Sequence, residues 1–133
     1  MNILLIDKEK QLLDLLEKLI EFSGNTPNVN IEKAQSYEQA TRRALENGPD
    51  LVVIDPQFVR EGGMALIKTV KDFKPGTVVI ALSRCGDCPC PPHCQEQCLE
   101  AGANAHFDKK EFMRIPAVVR DLHRSPNRKR FVA

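Results

Sequence analysis

Three uninterrupted apolar runs constrain this chain more than any other feature. Ile3-Leu4-Leu5-Ile6, Leu51-Val52-Val53-Ile54 and Val78-Val79-Ile80-Ala81-Leu82 are each four or five residues long and each stops at a polar residue. A strand that is apolar on both faces must be covered on both faces, as in a parallel sheet flanked by helices. The segments between the runs read as those helices. Leu12, Leu13, Leu15, Leu16, Leu19 and Ile20 recur with helical period, and Gly24, Asn25 and Pro27 end the stretch. A weak strand, Val29 to Ile31, follows. Ser36 then has the character of an N-cap, with Gln39 completing a capping box, and the helix it opens stops near Gly48. Gly62-Gly63 precedes a helix with Ala65, Leu66, Val70 and Phe73 near one face, and Pro75-Gly76 turns the chain back. A short helix ending at Gly102, a fifth strand near Ala105–Phe107 and a last helix over roughly Ile115–His123 complete the pattern. Five strand–helix units predict one α/β domain, a doubly wound five-stranded parallel sheet with right-handed crossovers.

The length of 133 residues suits a single domain with a real core. Net charge is +1, which gives no overall field to draw the protein onto DNA or a membrane. Arg124, Arg128, Lys129 and Arg130 make the C-terminus basic, and a solvated tail is the expected reading. No apolar stretch approaches membrane-spanning length, and the first residues lack the basic segment of a signal peptide. The expected location is the cytoplasm, with neither membrane nor nucleic acid as partner.

The residues that end the strands carry the chemistry. Asp7 follows the first run, Asp55 the second and Ser83 the third, while Lys109 follows Ala105-His106-Phe107-Asp108. Open α/β sheets place ligands at the carboxyl ends of their strands. Two acids, a hydroxyl and an amine gathered there are the residue set of a phosphoryl-accepting aspartate. A carboxylate is a competent nucleophile for an acyl phosphate, and the transferred group needs cations to neutralise its spread charge.

Four pieces in order, Ile-Leu-Leu-Ile-Asp7, Pro49-Asp50-Leu-Val-Val-Ile-Asp55, Val-Val-Ile-Ala-Leu-Ser83 and Glu100-Ala-Gly102-Ala-Asn-Ala-His-Phe-Asp-Lys109, resemble a response-regulator receiver domain over about residues 1–123. The resemblance implies a flavodoxin-like fold and a phosphoacceptor role in two-component or phosphorelay signalling, without enzymatic turnover. Asp55 would accept the phosphoryl group from a histidine kinase or phosphotransfer protein, Ser83 would hydrogen-bond it and Lys109 would pair with it. Asp7 and Asp55 would hold Mg²⁺, and a downstream protein would read the state. A second copy of the chain, in a homodimer, is a further candidate partner. The chain departs from the family pattern at four places. Lys8 stands where a second acid is usual, so weak Mg²⁺ binding is expected, and Lys8 is itself a candidate to pair with Asp55. Pro56-Gln57-Phe58-Val59 replaces a frequent Met-Pro pair, Lys110 replaces the proline after the lysine, and His106 occupies an aromatic switch position. His106 and His123 are otherwise expected to be surface or edge residues. The competing function is a pseudo-receiver, a binding or scaffold module governed by metal or thiol state.

That alternative comes from the cysteines. All five lie between Cys85 and Cys98, within residues 84–98, an insertion-like segment of the 1–123 domain that precedes the 124–133 tail. Such clustering suits a metal or redox site better than a secreted disulfide framework. Cys85 and Cys88 have Cys-x-x-Cys spacing, while Cys94 and Cys98 share one side of a helix. These four predict a tetrahedral metal, Zn²⁺ first, with Cys90 and His93 in reserve. An iron–sulfur cluster, a redox disulfide and inert thiols remain open alternatives.

Overall fold

The computed structural model describes residues 1–23, 28–57, 62–84 and 94–124. Five parallel strands form one sheet: β1 (Asn2–Ile6), β2 (Asn30–Ala34), β3 (Leu51–Ile54), β4 (Val78–Ser83) and β5 (Ala105–Asp108). Their spatial order is β2-β1-β3-β4-β5. The helices are α1 (Lys10–Phe22), α2 (Tyr37–Asn47), α3 (Gly63–Phe73), α4 (Cys94–Ala101) and α5 (Arg114–Arg124). This is the flavodoxin-like doubly wound order, whose switch point lies between β1 and β3.

Side chains alternate across the sheet and build two cores. Ile3, Leu5, Val53, Ile80, Leu82 and Phe107 meet Leu13, Leu16 and Ile20 of α1 and Val119 and Leu122 of α5. Leu4, Ile6, Val52, Ile54, Val79 and Ala81 meet α2, α3 and α4 on the other face. Burial on both faces explains why the central strands are continuously apolar rather than alternating. The only fully buried side chains are Ala40 and Ala44 on α2, and Cys94 and Cys98 on α4.

Several local expectations shift. The second strand runs to Ala34, because its parallel pairing with all of β1 carries it past the apolar stretch. Leu15 and Phe73 are largely exposed, since the buried stripes narrow to Leu13, Leu16 and Ile20 on α1 and to Gly63, Leu66, Ile67 and Val70 on α3. Ser36 does cap α2 by accepting from the Gln39 N–H, but Gln39 Oε1 accepts from the N–H of Gln35 rather than of Ser36. Gly63 is needed by contact: a Cβ there would sit 1.9 Å from the carbonyl oxygen of Pro56, the residue after Asp55. The expectations placed on Cys85, Cys88, Cys90, His93 and the tail from Ser125 lie outside the described residues.

Candidate functional site

Strand register brings the chemistry together. Ile6 pairs with Ile54, and the next residues on those strands are Asp7 and Asp55. Their backbones continue the ladder for one step, with the Asp55 N–H donating to the Ile6 carbonyl at 3.0 Å and the Asp7 N–H to the Ala34 carbonyl at 3.1 Å. Each carboxylate is then aimed in the same way. Asp7 Oδ1 accepts from the Glu9 N–H and Asp55 Oδ1 from the Gln57 N–H, both at 2.9 Å. These side-chain turns two residues long fix one oxygen and leave the other directed into the crevice. Both Oδ2 atoms lie 2.9 Å from Lys109 Nζ.

Lys109 is held by the turn it begins. Asp108 ends β5 and caps a single 3-10 turn, Lys109–Glu111, by accepting from the Lys110 N–H at 2.9 Å, while Glu111 accepts from the Asp108 N–H at 3.2 Å. Proline in place of Lys110 would have no N–H to give.

Among the described residues the crevice is short of positive charge. Asp7, Asp55 and Lys109 are each less than a tenth exposed, and two carboxylates face one ammonium. Burial holds the Asp7 carboxyl above its ordinary range, opposed by the Glu9 N–H and by Lys109 and reinforced by the charge of Asp55. Burial acts to lower the Lys109 pKa, but the hydrogen bonds and charges of Asp55 and Asp7 outweigh it and leave the ammonium raised. Both directions are coherent, because one cation shared between two buried carboxylates is strongly retained while one negative charge stays uncompensated.

Lys8 does not fill that deficit. Its side chain is exposed and makes no ion pair among the described residues, so the place beside Asp55 belongs to Lys109. Glu9 was not foreseen as a site residue. Its Oε1 lies 3.7 Å from Lys109 Nζ and is paired with Arg84, which brings a third carboxylate to the rim. The Asp7-Lys8-Glu9 string carried the signal: an acid displaced by one position can still reach the crevice from the first turn before α1.

Ser83 ends β4 at the same edge, fully buried, opposite Asp108 of β5. Its Oγ is 2.8 Å from His106 Nε2. His106 is thus more than an edge residue. It is partly buried in β5, and burial lowers the pKa of its imidazole against the opposing pull of Asp108 and Glu111. The same Nε2 lies 3.9 Å from Cys94 Sγ. Cys94 and Cys98 are buried thiols, and their sulfurs and one His106 nitrogen all fall within 4.8 Å of one another. Cys94 and Cys98 share one face of α4 as their spacing requires, whereas His106 reaches them from β5 and had no sequence signal linking it to them.

The family model of the response regulator receiver domain matches residues 3–120. The chain belongs to that family. Receiver domains are phosphoacceptor signalling modules and are generally not enzymes. Among solved structures, the signal receiver domain of a DNA-binding response regulator from Colwellia psychrerythraea 34H is 22% identical, with a TM-score of 0.78 over 94% of this chain and 99% of that one. A receiver domain protein from Clostridium thermocellum is 23% identical, with a TM-score of 0.75 over 92% and 94%. One from Methanospirillum hungatei JF-1 is 19% identical, with a TM-score of 0.73 over 92% and 96%. At these identities the likeness to the solved structures is one of fold. A comparison with curated protein sequences finds no match. No helix among the described residues is long and apolar enough to cross a membrane.

Proposed function

We propose that this receiver domain accepts a phosphoryl group on Asp55. The observation that carries the reading is the pair of oriented carboxylates, Asp7 and Asp55, clamped 2.9 Å from the buried Lys109 ammonium at the mouth of the sheet. In the transfer, one Asp55 oxygen attacks phosphorus, the P–N bond of a phosphohistidine breaks, and its electron pair returns to the imidazole, which takes a proton from solvent. Lys109 pairs with the arriving oxygens, and the buried Ser83 hydroxyl donates to one of them. The donor is a histidine kinase or phosphotransfer protein, and the reader is a downstream protein. The product is a modified protein, so the chain is an acceptor rather than an enzyme.

The uncompensated negative charge and the hard oxygen donors fit Mg²⁺. Asp7 and Asp55 would hold it, with Glu9 in reach, and the bound cation supplies neutralisation of the phosphoryl charge. An exposed Lys8 in place of an acid makes that binding weak. A thiophilic metal, Zn²⁺ first, belongs to the cysteine segment, with Cys94 and Cys98 among its ligands. Residues 1–123 form the domain, 84–98 its cysteine-rich segment and 124–133 a basic tail, and the setting is cytoplasmic.

Incubation with acetyl phosphate and Mg²⁺, read by intact mass, tests the acceptor reading. One phosphoryl increment on the native chain and none on Asp55→Asn is the expected result. Equal labelling of both proteins contradicts it.

A further inference from the structure

α4 meets the core through few apolar groups. It has eight residues, and the only ones it buries are Cys94 and Cys98. Leu99, its largest apolar side chain, is 40% exposed. Two thiols bury little apolar area compared with the leucines and valines that hold α1, α3 and α5 to the sheet. What the thiols offer instead is ligation, and a third donor stands opposite them. Neutral imidazole and thiolate are the donors that Zn²⁺ prefers. Bonds of about 2.3 Å to sulfur and 2.0 Å to nitrogen place tetrahedral S and N ligands about 3.6 Å apart. Cys94 Sγ and His106 Nε2 are 3.9 Å apart, and no pair in the cluster exceeds 4.8 Å. Small rotamer adjustments close the remaining gap.

We propose that Cys94, Cys98 and His106 form a site for a thiophilic divalent metal ion such as Zn²⁺, and that filling it withdraws His106 from Ser83. The site replaces the all-cysteine ligand set with one that pins α4 to β5. Two thiols release their protons to solvent, the imidazole gives its Nε2 lone pair, and the described residues thus supply three ligands of a tetrahedral site. No electrons move. The coupling follows from a single atom. His106 Nε2 is 2.8 Å from Ser83 Oγ, and a ring nitrogen that ligates a metal has neither a lone pair nor a proton left for that hydroxyl. Metal binding therefore withdraws the His106 contact from the Ser83 hydroxyl, the group that also serves the phosphoryl oxygens. Ser83 ends β4 at the acceptor edge, so the metal state of α4 feeds directly into the chemistry of Asp55. This coupling rests on the acceptor reading, whereas the metal site does not.

Titration of the reduced, metal-free chain with Zn²⁺, and with Co²⁺ as a spectroscopic probe, tests the site. One equivalent should bind, with thiolate-to-cobalt charge transfer. Cys94→Ser, Cys98→Ser and His106→Phe should each weaken binding at least about tenfold, since each removes one of three ligands. His106→Phe keeps an aromatic ring in β5 and guards against a mere folding defect. Acetyl phosphate labelling with Mg²⁺, run with and without one equivalent of Zn²⁺, tests the coupling. Zn²⁺ should raise the rate of Asp55 labelling about fivefold, the worth of one neutral hydrogen bond, and should leave His106→Phe unchanged. Absence of stoichiometric metal overturns the site. Undiminished binding by His106→Phe overturns the ligand set. Binding with no rate change on a chain that does label overturns the coupling. A chain that binds metal through all three residues yet never labels overturns the acceptor reading and the coupling together, while the site stands.

Discussion

Lys109→Met removes the cation that, among the described residues, is held between two buried carboxylates, and keeps the apolar stem. Asp7 Oδ2 and Asp55 Oδ2 each lose a partner at 2.9 Å, and the side chains that face each other are 4% and 8% exposed. Breaking a buried pair by deleting one member costs about 3–5 kcal/mol. The lower end applies, because a carboxyl left without its partner can take up a proton. Domains of this size lose roughly 3–4 °C of Tm per kcal/mol, so a cost of about 3 kcal/mol lowers Tm by about 10 °C. The pH dependence has a definite sign. Burial already holds the Asp7 carboxyl above its ordinary value and Lys109 is what opposes it, so without the ammonium it rises further and the penalty, fully present near pH 7.5, shrinks as pH falls towards 5. Mg²⁺ should raise the Tm of the variant more than that of the native chain, since the crevice now lacks two positive charges rather than one. Thermal unfolding followed by circular dichroism at both pH values, with and without Mg²⁺, measures all three effects. A variant that melts within about 2 °C of the native chain at pH 7.5, against the roughly 10 °C expected, refutes the clamp.

Lys8→Asp should tighten Mg²⁺ binding about tenfold and speed labelling, by adding an oxygen ligand beside Asp7, while Glu9→Gln should weaken binding by removing the displaced acid; isothermal titration distinguishes them from unaltered affinity. Asp7→Asn should raise Tm at pH 7 while abolishing labelling. The Asp7 carboxyl is held above its ordinary value of 3.8, so its ionisation costs stability as pH rises through the folded pKa, and the advantage of the variant should vanish near pH 3. Gly63→Ala should cost about 2 kcal/mol or more and slow labelling, because the new Cβ meets the Pro56 carbonyl and displaces the loop that carries Asp55; a denaturant midpoint equal to that of the native chain would count against this packing.

The fold was legible because its signals agree across levels. Continuous apolar strands, helical stripes and turn residues all point to one parallel sheet, and the polar residues that stop the strands necessarily share an edge. Asp7, Asp55 and Lys109 could be placed there from sequence because each directly follows a strand. The role of Glu9 was not legible, since nothing in a sequence tells which way a residue in a loop before a helix turns. Nor was the link between His106 and Cys94. It depends on β5 lying beside β4 with His106 facing the α4 side, and side-chain facing in a four-residue strand follows from register rather than composition. Phe73 failed for a simpler reason. It is the last residue of α3, in helical phase with Leu66 and Val70, and phase alone does not say where along a helix the burial stops.

Localisation of the acyl phosphate tests the central claim most directly. The chain would be treated with acetyl phosphate and Mg²⁺, reduced with borohydride so that a phosphorylated aspartate becomes homoserine, and digested for peptide mapping. The account predicts homoserine at position 55, with Asp7 and Asp50 unmodified. Homoserine at another aspartate, with Asp55 intact, would contradict it.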